Sequence, residues 1–139
     1  MTSLIIDTSV VIKWLNQDNE ENIEQADKVM KDVKEGKVEL FAPELLKYEV
    51  GNALLFGKKI AKEDINDLMS IFYSLPITFI AENKNSATDT YILAQTLGIT
   101  YYDAAFLSLA EKFGATLITE NIKHQGKSKD IAVKSLNEY

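Results

Sequence analysis

Four places in this sequence put acids or amides where an apolar surface is expected, and those are the side chains able to do chemistry. Asp7 follows the aliphatic run Leu4-Ile5-Ile6 and is followed by Thr8 and Ser9. Glu49 sits in a helical pattern: with Leu45 as zero, Leu45, Phe56, Ala53, Leu46, Val50 and Leu54 fill an arc of about 180°, and Glu49 falls at about 40°. Asn52 lies just outside that arc, one turn on. Asp103 shares its arc with Leu109, Phe113, Phe106, Ala110 and Leu107. Thr119-Glu120-Asn121 directly follows Leu117-Ile118, as Asp7 follows its own apolar run. Three or more carboxylates in one cleft repel one another unless a cation sits between them. Oxygen ligands with few competing nitrogens or sulfurs suit Mg²⁺ or Mn²⁺. Such an ion can activate water and take up the charge of a phosphodiester transition state.

Each acid also has a plainer reading. Asp7 can be a helix cap, and Glu49 can snorkel from a helix rim or pair with a lysine. Asp103 can complement a helix dipole in the first turn. Glu120 and Asn121 are ordinary loop residues.

The elements that must hold these side chains can be read from periodicity. Leu4-Ile5-Ile6 fits a strand buried on both faces, with Thr8 or Ser9 as N-cap of a helix running to Leu15. Helices are expected over Asn19–Glu35, from Pro43 to about Phe56, over Glu63–Leu75, Ser86–Leu97 and Tyr102–Phe113. Gly36, Gly98 and Gly114 are their stops. Val38–Ala42, Ile77–Ile80 and Ala115–Thr119 read as strands, and Ile131-Ala132-Val133 as a last edge strand. Strands alternating with helices predict a three-layer α/β/α domain around a parallel sheet of about four or five strands. Asp7 and Thr119 would then stand at carboxyl ends of strands, where open α/β sheets bind ligands.

Composition narrows the chemistry. The 139 residues predict a single domain over 1–139, 46% apolar and 26% charged. No run approaches the ~18 apolar residues of a membrane span, and no basic-then-apolar leader begins the chain. With no cysteine, disulfides, thiolate nucleophiles and cysteine-ligated zinc are excluded, and an intracellular, cytoplasmic location is the expectation. The net charge of −6 is the wrong sign for nucleic-acid binding by counterion release. An anionic substrate would therefore need a divalent cation to invert the field locally. The one histidine, His124, has no second imidazole for paired acid–base chemistry and follows no nucleophile-elbow sequence. Neither a glycine-rich dinucleotide fingerprint nor a P-loop is present.

Leu4-Ile5-Ile6-Asp7-Thr8-Ser9, Glu49-Val50-Gly51-Asn52-Ala53-Leu54, Tyr102-Asp103-Ala104-Ala105-Phe106 and Leu117-Ile118-Thr119 resemble the motifs of PIN-domain ribonucleases, and most closely the VapC toxins of toxin–antitoxin pairs. The resemblance runs through essentially the whole chain. It implies Mg²⁺-dependent endonucleolytic cleavage of RNA, with Asp7 and Asp103 as main metal ligands and Glu49 holding a water or a second metal. Thr8 or Ser9 and Thr119 would position water or phosphate, and Asn52 would support Glu49. Family members commonly carry Asp at the position of Asn121, so the fourth acid is missing unless adjacent Glu120 supplies it. A cognate antitoxin and a homodimer are the implied protein partners.

Rival readings are weaker. A haloacid-dehalogenase-type phosphatase wants a second Asp where Ser9 stands. A receiver domain wants extra acids beside the first Asp. A PIN fold kept for binding alone is the non-enzymatic alternative, suggested by Asn121. Lys123, Lys127 and Lys129 could touch an RNA backbone, and Trp14, Tyr101 and Tyr102 could stack on bases, although a solvated loop and core or rim packing suit them better.

Overall fold

Leu4, Ile5 and Ile6 are all buried, as a strand covered on both faces requires. They belong to β1 (Thr2–Ile6), the middle strand of the sheet. The structure, a computed structural model, describes residues 1–139. After β1 come α1 (Thr8–Leu15), α2 (Ile23–Lys34), β2 (Val38–Pro43), α3 (Leu45–Asn52), α4 (Ile65–Ser74) and β3 (Ile77–Ile80). The second half holds α5 (Lys84–Leu97), α6 (Tyr101–Phe113), β4 (Thr116–Ile118), α7 (Ile122–Gln125) and β5 (Val133–Lys134).

The five strands run parallel in the order β3-β2-β1-β4-β5. Ile5 lies between Phe41 of β2 and Leu117 of β4. Right-handed crossovers in that order put α1 to α4 on one face and α5 to α7 on the other. The predicted three-layer α/β/α architecture is therefore what forms. Phe106 and Leu107 of α6 and Phe72 of α4 are among the largest fully buried side chains. Gly98 and Gly114 close α5 and α6 with φ of +65° and +58°, a conformation that strains any residue with a Cβ.

Local rules account for the departures from the sequence reading. α2 begins at Ile23 rather than Asn19, because Asn19 and Asn22 are both left-handed and Lys13 Nζ bonds the Glu21 carbonyl at 2.7 Å. Pro43 ends β2 instead of opening α3. α5 begins at Lys84 rather than Ser86, because Asn83 caps it and forms a reciprocal capping box with Ser86. The polar tail contains a helical turn, α7, that periodicity missed. Phe56, assigned to the apolar arc of α3, is 68% exposed. Residues Ala53–Gly57 are π-helical, with Lys58 N bonded to Ala53 O, so the wider turn rotates Phe56 off the buried face.

Candidate active site

β1 and β4 are neighbours, but the chain leaves them for opposite sides of the sheet, β1 toward β2 and β4 toward β5. That divergence opens a crevice at their carboxyl ends. Asp7 N bonds Ile118 O at 3.1 Å, tying the two strand ends together. Asp7 rather than Thr8 or Ser9 is the N-cap of α1. Its Oδ2 accepts from Ser9 Oγ at 2.7 Å, Thr119 Oγ1 at 3.0 Å and Ser9 N at 3.3 Å. The capping and functional readings of this acid therefore coexist: Oδ2 is held in place, and Oδ1 takes no side-chain hydrogen bond.

The same division recurs at the other two acids. Glu49 Oε1 accepts from Thr8 Oγ1 at 2.7 Å, leaving Oε2 free. Asp103 Oδ1 accepts from Asn121 Nδ2 at 3.3 Å, leaving Oδ2 free. All three line one groove with Thr8, Ser9, Asn52 and Asn121. No lysine or arginine pairs with any of them. As placed, no trio of acidic or imidazole side chains closes tightly round a single point.

Uncompensated charge shifts two of these carboxyls. Burial pushes the Asp7 carboxyl above its usual range, and the bonds from Ser9 and Thr119 only partly offset it. Glu49 is also raised, first by burial and then by the charges of Asp7 and Asp103, against the Thr8 bond. Hard oxygen donors, one free oxygen on each acid and no local counter-charge are the donor set a divalent cation fits.

Three expectations differ from the placement observed. Glu120 does not supply the missing carboxylate. It turns away from the groove, accepting from Asn22 Nδ2 at 2.9 Å and Leu136 N at 3.3 Å, with Lys13 Nζ at 3.7 Å. Its place is taken by Asn121, which acts as a donor toward Asp103. Asn52 lines the groove but makes no hydrogen bond to Glu49, whose support is Thr8. Ser9 and Thr119 are spent on Asp7 and on the backbone N–H groups of Glu120 and Asn121, at 3.0 and 2.9 Å.

Two residues in and beside the groove escaped the sequence reading. Tyr48 lines it and is 79% exposed. The available signal was an aromatic off the apolar arc, one residue before Glu49. Lys13 is 4% exposed, and its interruption of the run Val10–Leu15 was the clue. It bonds Glu20 Oε1 at 3.0 Å, and Lys58 bonds Glu20 Oε2 at 2.7 Å, pinning the loop before α2 to the end of α3. Tyr102, weighed above for stacking, is on the groove wall and 60% exposed. Trp14 packs inside, donating to Ala26 O, and Tyr101 donates to Glu82.

The sequence profile of the PIN domain matches residues 4–128. A curated relative, Ribonuclease VapC3 of Pyrobaculum aerophilum, is 32% identical over 123 residues, 84% of this chain and 87% of that protein. Among solved structures, VapBC2 from Rickettsia felis, bound to a DNA fragment from its promoter, matches with a TM-score of 0.73 at 16% identity, covering 96% of this chain and 98% of that one. A toxin–antitoxin complex from Klebsiella pneumoniae gives 0.69 at 16% identity, over 96% and 97%. The profile spans most of the chain and a VapC ribonuclease is 32% identical over most of both chains, and the chain belongs to the PIN-domain family.

Proposed function

We propose that this chain is the toxin of a VapBC-type pair, an endoribonuclease that hydrolyses RNA phosphodiesters in the Asp7–Glu49–Asp103 groove with Mg²⁺, or Mn²⁺ in its place. The observation that carries this is the shared pattern of the three acids, each with one oxygen fixed by a protein donor and one left free. Asp7, Asp103 and Glu49 would hold the ion. When bound, a divalent ion supplies a Lewis acid that lowers the pKa of water and offsets phosphate charge. Ser9 and Thr119 orient Asp7, Thr8 orients Glu49, and Asn121 orients Asp103. Asn121 thereby acquires a positioning role, which removes the reason for preferring a binding-only PIN fold.

The relative's name, Ribonuclease VapC3, supports RNA as substrate, and the antitoxin-bound neighbours support an antitoxin partner. A homodimer is the remaining part of this reading. Tyr91 and Ile92, exposed on the outer helix α5, are candidates for its contact. No helix is long and apolar enough to cross a membrane.

The test is cleavage of single-stranded and structured RNA by the purified chain. Activity should need Mg²⁺, vanish with chelator and return with Mn²⁺. Chelator-insensitive cleavage that survives loss of Asp7 would overturn the mechanism. Because Asp7 and Glu49 hold protons to higher pH than ordinary carboxylates, ion affinity should weaken on acidification before the usual range near ~4 is reached. Isothermal titration with Mn²⁺ across the acid range would measure this.

Asn121→Asp makes a further prediction. It replaces the donor to Asp103 with a fourth carboxylate. The metal-free protein should lose about 1–2 kcal/mol of stability. The rise in melting temperature on adding Mg²⁺ should grow, since more charge awaits the ion. An unchanged response to Mg²⁺ would place residue 121 outside the ion's field.

A further inference from the structure

Beside the acid groove lies a second, more enclosed cavity of about 210 Å³, and the two share Leu45 and Tyr102 as a common wall. It sits at the carboxyl ends of β2 and β3, between the start of α3 and the helices α5 and α6. Leu45, Ile80, Ala105 and Leu109 give it apolar sides. Thr90 also lines it. That residue is 3% exposed, yet its hydroxyl makes no protein hydrogen bond.

We propose that this cavity receives one unpaired nucleobase of the RNA, next to the phosphate held in the acid groove, with Tyr102 stacking on it and Thr90 bonding its edge. The proposal rests on the nuclease reading above and adds to it a site for base recognition. The volume is that of roughly seven waters, enough for a flat ring but closed to a helix or strand. Glu44 and Glu82 line the cavity against a single lysine, Lys112, a net negative wall that disfavours a phosphate and leaves an uncharged ring acceptable. An aliphatic side chain would bury the Thr90 hydroxyl without a partner, whereas every base edge offers donors and acceptors. A base can reach the cavity only if it is unstacked, so the preferred substrate is a single strand or a loop.

The experiment maps a cleavage site with the wild-type chain, then walks an abasic nucleotide along that oligoribonucleotide. Binding of each probe is measured by fluorescence anisotropy on the full Asp7→Asn chain, which should not cut it. One position beside the scissile phosphate should lose about tenfold to hundredfold in affinity when abasic. In an added Ala105→Leu background, which fills the cavity, intact and abasic probes should bind alike at that position while other positions keep their profile. Tyr102→Leu should act in the same way should the filled variant fold poorly. A flat abasic walk overturns the cavity proposal while leaving the nuclease standing, as does a penalty that persists in both variants. If Ala105→Leu spares RNA binding and instead abolishes self-association or antitoxin binding, the cavity belongs to a protein contact and the proposal fails. A wild-type chain that cuts no RNA sinks the nuclease reading first.

Discussion

Asp7→Asn should reduce RNA cleavage by well over a hundredfold and, in the same protein, raise the melting temperature measured without metal. Losing only an outer partner of a ligand usually costs about 10–100-fold, and loss of the ligand itself should exceed that. The gain in stability follows from the environment. Asp7 is buried, its pKa is raised, and no cation pairs with it. A folded-state pKa above the unfolded value means the favourable contribution exists at low pH and disappears as pH rises through the folded pKa. At neutral pH the ionised carboxylate is therefore a net burden on the metal-free fold. Asparagine keeps an oxygen for the Ser9 and Thr119 donors and removes the charge. Each kcal/mol recovered is worth roughly 3–5 °C in a chain of this size. Differential scanning fluorimetry gives the decisive pattern: the variant melts higher without Mg²⁺ and gains little from it, whereas the wild type gains clearly. A variant that melts lower than wild type without metal would mean the carboxylate is a structural cap and nothing more.

Lys13→Met should show the opposite pairing, a large loss of stability with cleavage retained. Lys13 is buried against Glu20, Glu120 and the Glu21 carbonyl. Removing one partner of a buried pair leaves the others uncompensated, at about 3–5 kcal/mol. Glu20 keeps Lys58, so the lower end is expected, a fall of about 10 °C. Burial pushes the Glu20 carboxyl up, but Lys58 and Lys13 outweigh it and the net shift is downward. A depressed carboxylate stabilises above its unfolded pKa and ceases to as pH falls through the folded value. The gap between wild type and variant should thus narrow in acid. Adding Glu20→Gln should recover part of the loss, as a double-mutant cycle would show. Below its melting temperature the variant should still cut RNA, because Asp7, Glu49 and Asp103 keep their own donors. A stability change under about 1 kcal/mol would mean this ion network is ornamental.

How much of this was legible in the residues depends on the range of the interaction. β1, the stops at Gly98 and Gly114, and the apolar faces of α4 and α6 are written in neighbours three or four apart, and periodicity reads those directly. Asp7, Glu49 and Asp103 were visible as polar residues on surfaces that should be apolar, an anomaly each carries alone. Which way Glu120 turns was not legible. Its orientation is set by Asn22, Lys13 and Leu136, brought together only by the finished fold. Phe56 failed for a different reason: a π-helical turn changes the angular step, and a fixed 100° per residue has no means of sensing it. The cavity beside the groove was invisible too, because three helices and two strand ends have to meet before it exists.

The sheet order also dictates when, during synthesis, the acid groove can form. β1 leaves the ribosome before its partners and can pair with β2, and β2 with β3, while the rest is unmade, yet the other neighbour of β1, β4, begins only at Thr116. Asp7 and Glu49 must therefore wait for Asp103 and Thr119, which are made later. A product cut short before that point has two of its three acids and an open sheet edge facing water, a species prone to aggregate. On the proposed reading, cleavage is thus withheld until Asp103 and Thr119 have both been made.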